Sequence, residues 1–282
     1  MSRSFPRARN ARKTLSQNFL TDSRAAAMIV RAADLAPEAP VLEIGPGDGM
    51  LTRHILAAGG RVSAYEKDPR YAARLRRRYA DDERIRVYNK DFRMVRAPHE
   101  PFSVIANVPF GITTDIVRWC LAARNLIDAT LLTQLEFARK HSGDYGRWSK
   151  LTVEHWPWMS ITVGARVHRS SFHPVPRVDA AVLRLRRRSE PLVSGAAAAE
   201  YRRLVDLGFS GVGGSLAASL RRDHAAGAVG RGGAAPRVAP PPPRGGGGGS
   251  RGGGAPPPHR AGRMVAAQRR GERAAHTRES EV

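Results

Sequence analysis

The sequence predicts an α/β domain, a mainly parallel sheet with helices on both faces. Three observations lead there. Short apolar runs alternate with helical patterns through the middle of the chain, and that alternation calls for crossover connections between parallel strands. A glycine-rich turn follows the first apolar run, at Gly45-Pro46-Gly47-Asp48-Gly49. Acidic residues, Glu66 and Asp91, stand at the ends of the next two runs, where folds of this class bind ligands beyond the carboxyl ends of their strands.

Taken in order, residues 41–44 read as a compact buried strand, and 50–58 as a helix stopped by Gly59-Gly60. A second strand covers 61–66. A second helix covers 69–79, with Pro69 near its start, where the missing N–H costs nothing. Strands follow over 85–91 and 102–108. Thr113 or Thr114 can cap a helix running to about residue 121. Residues 129–132 form another apolar strand, leading into a helix over 134–141. Residues 160–167 and 178–185 are expected to pair as a closing hairpin.

Composition sets the outer limits. The chain has 282 residues, 41% of them hydrophobic, enough for a substantial core in one large or two modest domains. Its 47 Lys and Arg outweigh 25 Asp and Glu for a net charge of +22, which favours a polyanionic partner. A single cysteine excludes an intramolecular disulfide framework and a multi-cysteine metal site. The histidines lack metal-ligand spacing, so no metal is expected. No apolar stretch is long enough to span a membrane and no secretory signal is visible, so the expected location is cytoplasmic.

Four zones divide the chain: a basic arm over 1–13, the packed α/β domain over 14–188, a partial helical part over 189–226, and a Gly/Pro/Arg-rich tail over 227–282 whose composition predicts disorder. Within the third zone, 196–207 and 214–222 can start helices. Arg74, Arg76, Arg77 and Arg78, and Arg184, Arg186, Arg187 and Arg188, form basic clusters, some of which are expected to meet phosphates.

The chemistry concentrates in four motifs. In Glu43-Ile44-Gly45-Pro46-Gly47-Asp48-Gly49 the glycines allow a sharp turn and close backbone approach to a ligand. The spacing is not the dinucleotide G-x-G-x-x-G, and Asp48 would sit badly beside a pyrophosphate. A nucleotide cofactor without phosphates, S-adenosylmethionine, suits the loop better. Glu66, about 20 residues downstream, can accept both ribose hydroxyls, and Asp91 can accept the adenine amino group. Asn107-Val108-Pro109-Phe110 has the residues needed to methylate an exocyclic amine. Its carboxamide and a neighbouring carbonyl can accept the amine hydrogens and localise the nitrogen lone pair, and Phe110 can stack on a flipped base. Phe172, ahead of Pro174 and Pro176, would form the opposing wall. Trp119, Trp148, Trp156 and Trp158 are assigned to packing, and Cys120 to a buried apolar position.

Together with Ser16-Gln17-Asn18-Phe19-Leu20 and the Leu135-Glu136-Phe137-Ala138-Arg139-Lys140 segment, these motifs resemble the erythromycin-resistance (Erm) rRNA adenine N6-methyltransferases over about residues 14–185. The resemblance implies a Rossmann-like, S-adenosylmethionine-dependent methyltransferase fold. It also implies N6-methylation of one adenine in the peptidyl-transferase region of 23S rRNA, giving resistance to macrolides, lincosamides and streptogramin B. Carried over by position, Asn18 and Leu20 would line the methionine end of the cofactor and Gly45 the glycine loop. Glu66 would hold the ribose, Asp91 the adenine, and Asn107 both cofactor and substrate. Phe110 stands where many relatives carry tyrosine. The expected partner is 23S rRNA, protein-free or in early assembly, met by a monomer.

Two other readings share part of this pattern. Small-subunit rRNA dimethyladenosine transferases have nearly all the motifs but favour Asn-Leu-Pro-Tyr-Asn where this chain has Asn107-Val108-Pro109-Phe110-Gly111. A non-catalytic RNA binder would show a decayed cofactor site, yet Gly45, Glu66, Asp91 and Asn107 are all present. The carboxy-terminal part departs from the family. Its tail fits either a flexible RNA-binding extension or the translation of a shifted frame, and one or two methyl additions fit the motifs equally.

Overall fold

The computed structural model describes residues 18–143, 148–211, 218, 219 and 221. The arm over 1–13 and the tail over 227–282 lie outside the described residues, as does most of the candidate helix over 214–222.

The chain enters through β1 (Phe19–Leu20) and α1 (Ser23–Ala33), whose first turn is capped by the Asp22 carboxylate accepting from the N–H groups of Arg24 and Ala25. The helix buries Ala25, Ala26, Ile29, Val30 and Ala33 on one face. Then follow β2 (Pro40–Ile44), α2 (Met50–Ala57), β3 (Arg61–Glu66), α3 (Pro69–Arg78) and β4 (Ile85–Asn89). After them come β5 (Phe102–Asn107), α4 (Thr113–Ala122), β6 (Leu126–Gln134), α5 (Leu135–His141) and α6 (Lys150–His155). The series closes with β7 (Met159–Val167), β8 (Phe172–His173), β9 (Ala180–Arg187) and α7 (Gly195–Gly208).

One seven-stranded sheet has the order β4-β3-β2-β5-β6-β9-β7. The first five strands are parallel, while β9 runs antiparallel to both β6 and β7. The alternation expected from the sequence is therefore present, including the final antiparallel pair. Successive strand residues face opposite sides, so the sheet supports two apolar clusters. One gathers Val104, Ala106, Leu131 and Leu183 with α4, and the other Val41, Ile105, Leu132 and Val182 with α1 and α2. Cys120 is fully buried in the first, and burial pushes its thiol pKa well up. No helix among the described residues is long and apolar enough to cross a membrane.

Several local expectations need correcting. The strand predicted over 85–91 ends at Asn89, because Asp91 turns the chain and accepts from the Arg93 N–H at the start of a short 3-10 turn. Thr113 is the first residue of α4 rather than its cap, and its hydroxyl donates to the carbonyls of Pro109 and Phe110. The strand expected over 129–132 extends to nine residues, since both neighbours in the sheet continue its ladder.

The second basic cluster is mainly structural. Arg184 on β9 pairs with Asp128 on β6 at 2.9 Å, with side-chain exposures of 26% and 5%. Arg187 donates to the Leu126 and Ala123 carbonyls, and Arg188 donates to the Trp156 carbonyl while its guanidinium lies over that indole. Breaking a buried pair leaves a charge without its partner, which costs about 3–5 kcal/mol. Asp128→Ala is therefore expected to destabilise the protein by about 3 kcal/mol in urea denaturation, because Arg184 retains partial access to water. Asp128→Ala combined with Arg184→Met should recover most of that loss; a double variant no more stable than the single one would contradict the account.

Candidate active site

The chain leaves β2, builds outward through β3 and β4, then returns to place β5 on the other side of β2. A sheet whose order reverses in this way opens a crevice beyond the carboxyl ends of the two strands at the reversal. The loop after β2 and Asn107 at the end of β5 meet there.

In the loop after β2, Gly45, Gly47 and Gly49 have φ of +63°, +55° and +80°, the left-handed region that side-chain-bearing residues rarely adopt. Space is also restricted. A Cβ on Gly47 would stand 2.7 Å from the Phe19 ring, and one on Gly49 would stand 2.8 Å from Leu75 Cδ1.

Glu66, the last residue of β3, is 1% exposed. Its Oε2 accepts from the Gly47 N–H at 3.0 Å and its Oε1 from the Asp68 N–H at 2.8 Å. Burial raises its pKa, and those backbone donors partly oppose the rise. The carboxylate thus ties the glycine loop to the β3 end. Glu43, within β2, is equally buried and accepts from the Thr52 hydroxyl at 2.6 Å. Desolvation pushes its pKa up to about 8.

Asp91 lies beyond β4 rather than within it. Arg93 Nη2 and Lys67 Nζ approach its Oδ2 at 2.7 and 3.0 Å. The Arg93 hydrogen bonds hold its carboxyl well below the usual range. It is a fully ionised acceptor that already has two cationic partners.

On the other side of the crevice, Asn107 Nδ2 donates to the Asn18 carbonyl at 2.8 Å, and Asn18 Nδ2 donates to the Pro174 carbonyl at 2.7 Å. This relay fixes which atom of Asn107 is free: its Nδ2 faces Asn18, so its Oδ1 can accept from a ligand. The same segment is secured by the pairing of β1 with β8, in register Phe19 with His173 and Leu20 with Phe172. A small cavity of about 20 Å³ is lined by Asn18, Phe19, Gly45, Asn107, Val108, Pro109 and Phe110. A larger cleft of about 370 Å³ shares Phe19, Gly45 and Asn107 and extends to Leu20, Glu43 and Asp48 and, on α2, Met50 and Arg53.

Asn18, Leu20, Gly45, Asn107 and Phe110 thus converge, with Glu66 reaching the same loop from beneath. Leu20 contributes from a position only 5% exposed. Phe110 is half-buried and lines the small cavity. Phe172 differs from expectation. It is 2% exposed and packs with Leu20, Val167 and Val182, because strand alternation turns it inward while exposed His173 faces out. Its ring supports the β1–β8 pair instead of offering an open wall.

Glu43 and Phe19 belong to the site although sequence reasoning gave neither a role. For Phe19 the available signal was its position directly beside Asn18. For Glu43 it was an acid inside an otherwise apolar strand, a placement that requires a partner.

A family model described as ribosomal RNA adenine dimethylase matches residues 8–230. The rRNA adenine N-6-methyltransferase of Saccharopolyspora erythraea is 49% identical over 213 residues, which cover 76% of this chain and 56% of that protein, so the chain spans little more than half of that relative. The rRNA methyltransferase of Streptomyces thermotolerans is 50% identical over 221 residues, 78% of this chain and 74% of that one. Among solved structures, the 23S rRNA methyltransferase ErmE superposes with a TM-score of 0.69 at 51% identity, covering 73% of this chain and 84% of the other.

Proposed function

The chain belongs to the ribosomal RNA adenine dimethylase family, and from that premise we propose that it transfers methyl groups from S-adenosylmethionine to N6 of one adenine in the peptidyl-transferase region of 23S rRNA. Macrolide, lincosamide and streptogramin B resistance would follow. The observation that carries this reading is the relay from Asn107 through Asn18 to Pro174, which leaves the Asn107 Oδ1 free at the junction of cleft and cavity.

The residues present fit the cofactor. The cleft is large enough for an adenosyl group's sulfonium-bearing chain, the Gly47 backbone leaves no room for a side chain, and Glu66 offers a buried carboxylate beside the loop. When bound, S-adenosylmethionine supplies an electrophilic methyl group on a sulfonium. We assign Asn18 and Leu20 to its methionine end, Gly45 to the glycine loop beside it, Glu66 to the ribose, and Asp91 to the adenine.

Asn107 Oδ1 and the Val108 carbonyl accept the hydrogens of the target amine and localise its lone pair toward the methyl group. Phe110 stacks on the base, and Phe172 acts through the β1–β8 pair that carries Asn18. Positioning supplies most of the acceleration. Among the described residues, neither His nor Lys lines the cleft or the cavity. None is needed, because the methylated amine becomes acidic and loses its proton to solvent.

The small-subunit alternative is less well supported. Residues 107–111 read Asn-Val-Pro-Phe-Gly, and a solved structure with 51% identity is that of a 23S rRNA methyltransferase. The deciding experiment offers labelled S-adenosylmethionine with protein-free 23S rRNA and, in parallel, with assembled small subunits, and maps the modified adenine. Label at the peptidyl-transferase adenine of naked 23S rRNA is the expected result. Label confined to the small subunit would transfer the assignment to the other branch of the family.

A further inference from the structure

The charges lining the larger cleft do not balance. Two acids face it, Glu43 and Asp48, and two arginines, Arg53 and Arg78. Asp48 is paired with Arg74. Glu43, with its pKa raised to about 8 by burial, is mostly protonated at neutral pH. Neither acid neutralises the arginines. Arg78 donates one N–H to the Asp48 backbone carbonyl at 2.6 Å. Arg53, exposed on α2, donates Nη2 to the Met50 thioether at 2.9 Å and has no carboxylate partner among the described residues. Sulfur is a weak acceptor, whereas a guanidinium keeps its charge and presents five donors in a planar fork suited to carboxylate or phosphate.

Placement strengthens the argument. Arg53 lies three residues after Met50, so both face the same side of α2, and α2 begins directly after the glycine loop. A permanently charged side chain whose hydrogen-bond partner among the described residues is a thioether therefore lines the cleft that Asn107 and Gly45 also line.

Building on the proposed cofactor, we infer that Arg53, assisted by Arg78, holds an anionic oxygen group in this cleft. Two sources carry that chemistry: the carboxylate of the cofactor's methionine moiety and a phosphate flanking the target adenine. Arg53 is a binding residue and takes no part in the transfer itself.

The test uses the full chain, with S-adenosylmethionine and decarboxylated S-adenosylmethionine as calorimetric probes. If the anion is the cofactor carboxylate, Arg53→Gln weakens S-adenosylmethionine by about three- to tenfold, a charge-assisted contact discounted for exposure. The decarboxylated analogue should change by less than about twofold, since it lacks the group that Arg53 holds. Arg53→Lys should retain part of the difference. If the anion is a phosphate, both probes bind the variant normally, while KM for the RNA rises and its salt dependence becomes shallower. Equal weakening of both probes, or no change in either probe or in the RNA KM, would overturn the inference. A folded wild-type protein that binds neither probe would instead overturn the cofactor assignment, and this inference with it.

Discussion

Asn107→Ala is expected to lower kcat for methyl transfer by at least about a hundredfold, the usual cost of removing one oriented group that stabilises developing charge. Alanine removes both functions of the side chain. Its Oδ1 no longer accepts from the target amine, and its Nδ2 no longer donates to the Asn18 carbonyl. The structural part should be small. Asn107 is half-buried, so losing one neutral hydrogen bond costs about 1 kcal/mol, and the β1–β8 pair still anchors the Asn18 segment. The variant should therefore remain folded and bind cofactor within about tenfold of wild type, since a neutral hydrogen bond of about 1 kcal/mol corresponds to about a factor of five. Circular dichroism, calorimetry and single-turnover transfer separate the three quantities. Methylation near the wild-type rate in a folded, cofactor-binding variant would remove Asn107 from the mechanism.

Asn107→Asp sharpens this reading. The carboxylate retains an acceptor but loses the donor to Asn18, and two oxygens then face each other across the 2.8 Å contact. A hundredfold loss in this variant as well would mean that the amide is required whole, one end to be positioned and the other to accept.

The parts of this fold that could be read from sequence are those with long, regular patterns. The inner strands β2, β5 and β6 announce themselves as apolar runs because both of their faces are covered, α2 stops just before Gly59-Gly60, and α3 begins at Pro69. The β1–β8 pair could not be read in the same way. Each strand has two residues, too few for alternation, and the partners lie some 150 residues apart in sequence. Helix α6 is only six residues long, under two turns, so it has no repeating face. The site shows the same division. Gly45, Glu66 and Asn107 follow directly from strand ends, whereas the orientation of Phe172 depends on its pairing with Leu20, which nothing local specifies. The arginines at 184, 187 and 188 illustrate the limit for charge. A basic run reads as a phosphate-binding surface until the carbonyls and the carboxylate that receive it are known.

Gly47→Ala should disable the cofactor site from the opposite side. Gly47 combines φ of +55° with a Cβ position 2.7 and 2.9 Å from two carbons of the Phe19 ring. An L-residue in that conformation costs about 1–2 kcal/mol, and the steric conflict adds about 1–3 kcal/mol. Relief requires movement of the loop or of Phe19. The first displaces the N–H that donates to Glu66 Oε2, and the second displaces the segment that positions Asn18 and, through it, Asn107. Either movement harms cofactor binding more than it harms the core, because the loop, Glu66 and Phe19 meet at the crevice. We expect the melting temperature to fall by several degrees, at about 2–4 °C per kcal/mol for a protein of this size, and cofactor affinity to fall at least about tenfold, for only 1.4 kcal/mol of the strain need fall on the bound loop to give that factor. Gly111→Ala is the stability control: a Cβ there meets nothing within 4 Å, so its melting temperature should stay within about two degrees of wild type, as for an ordinary surface change. The source of the strain can then be assigned with a second substitution. Phe19→Ala removes the ring atoms that the new methyl group would strike but leaves φ unchanged. Partial recovery of affinity in Gly47→Ala combined with Phe19→Ala would divide the loss between steric conflict and backbone strain. Absence of recovery would assign it to the left-handed backbone, and wild-type affinity in Gly47→Ala alone would show that the cofactor does not rest on this loop.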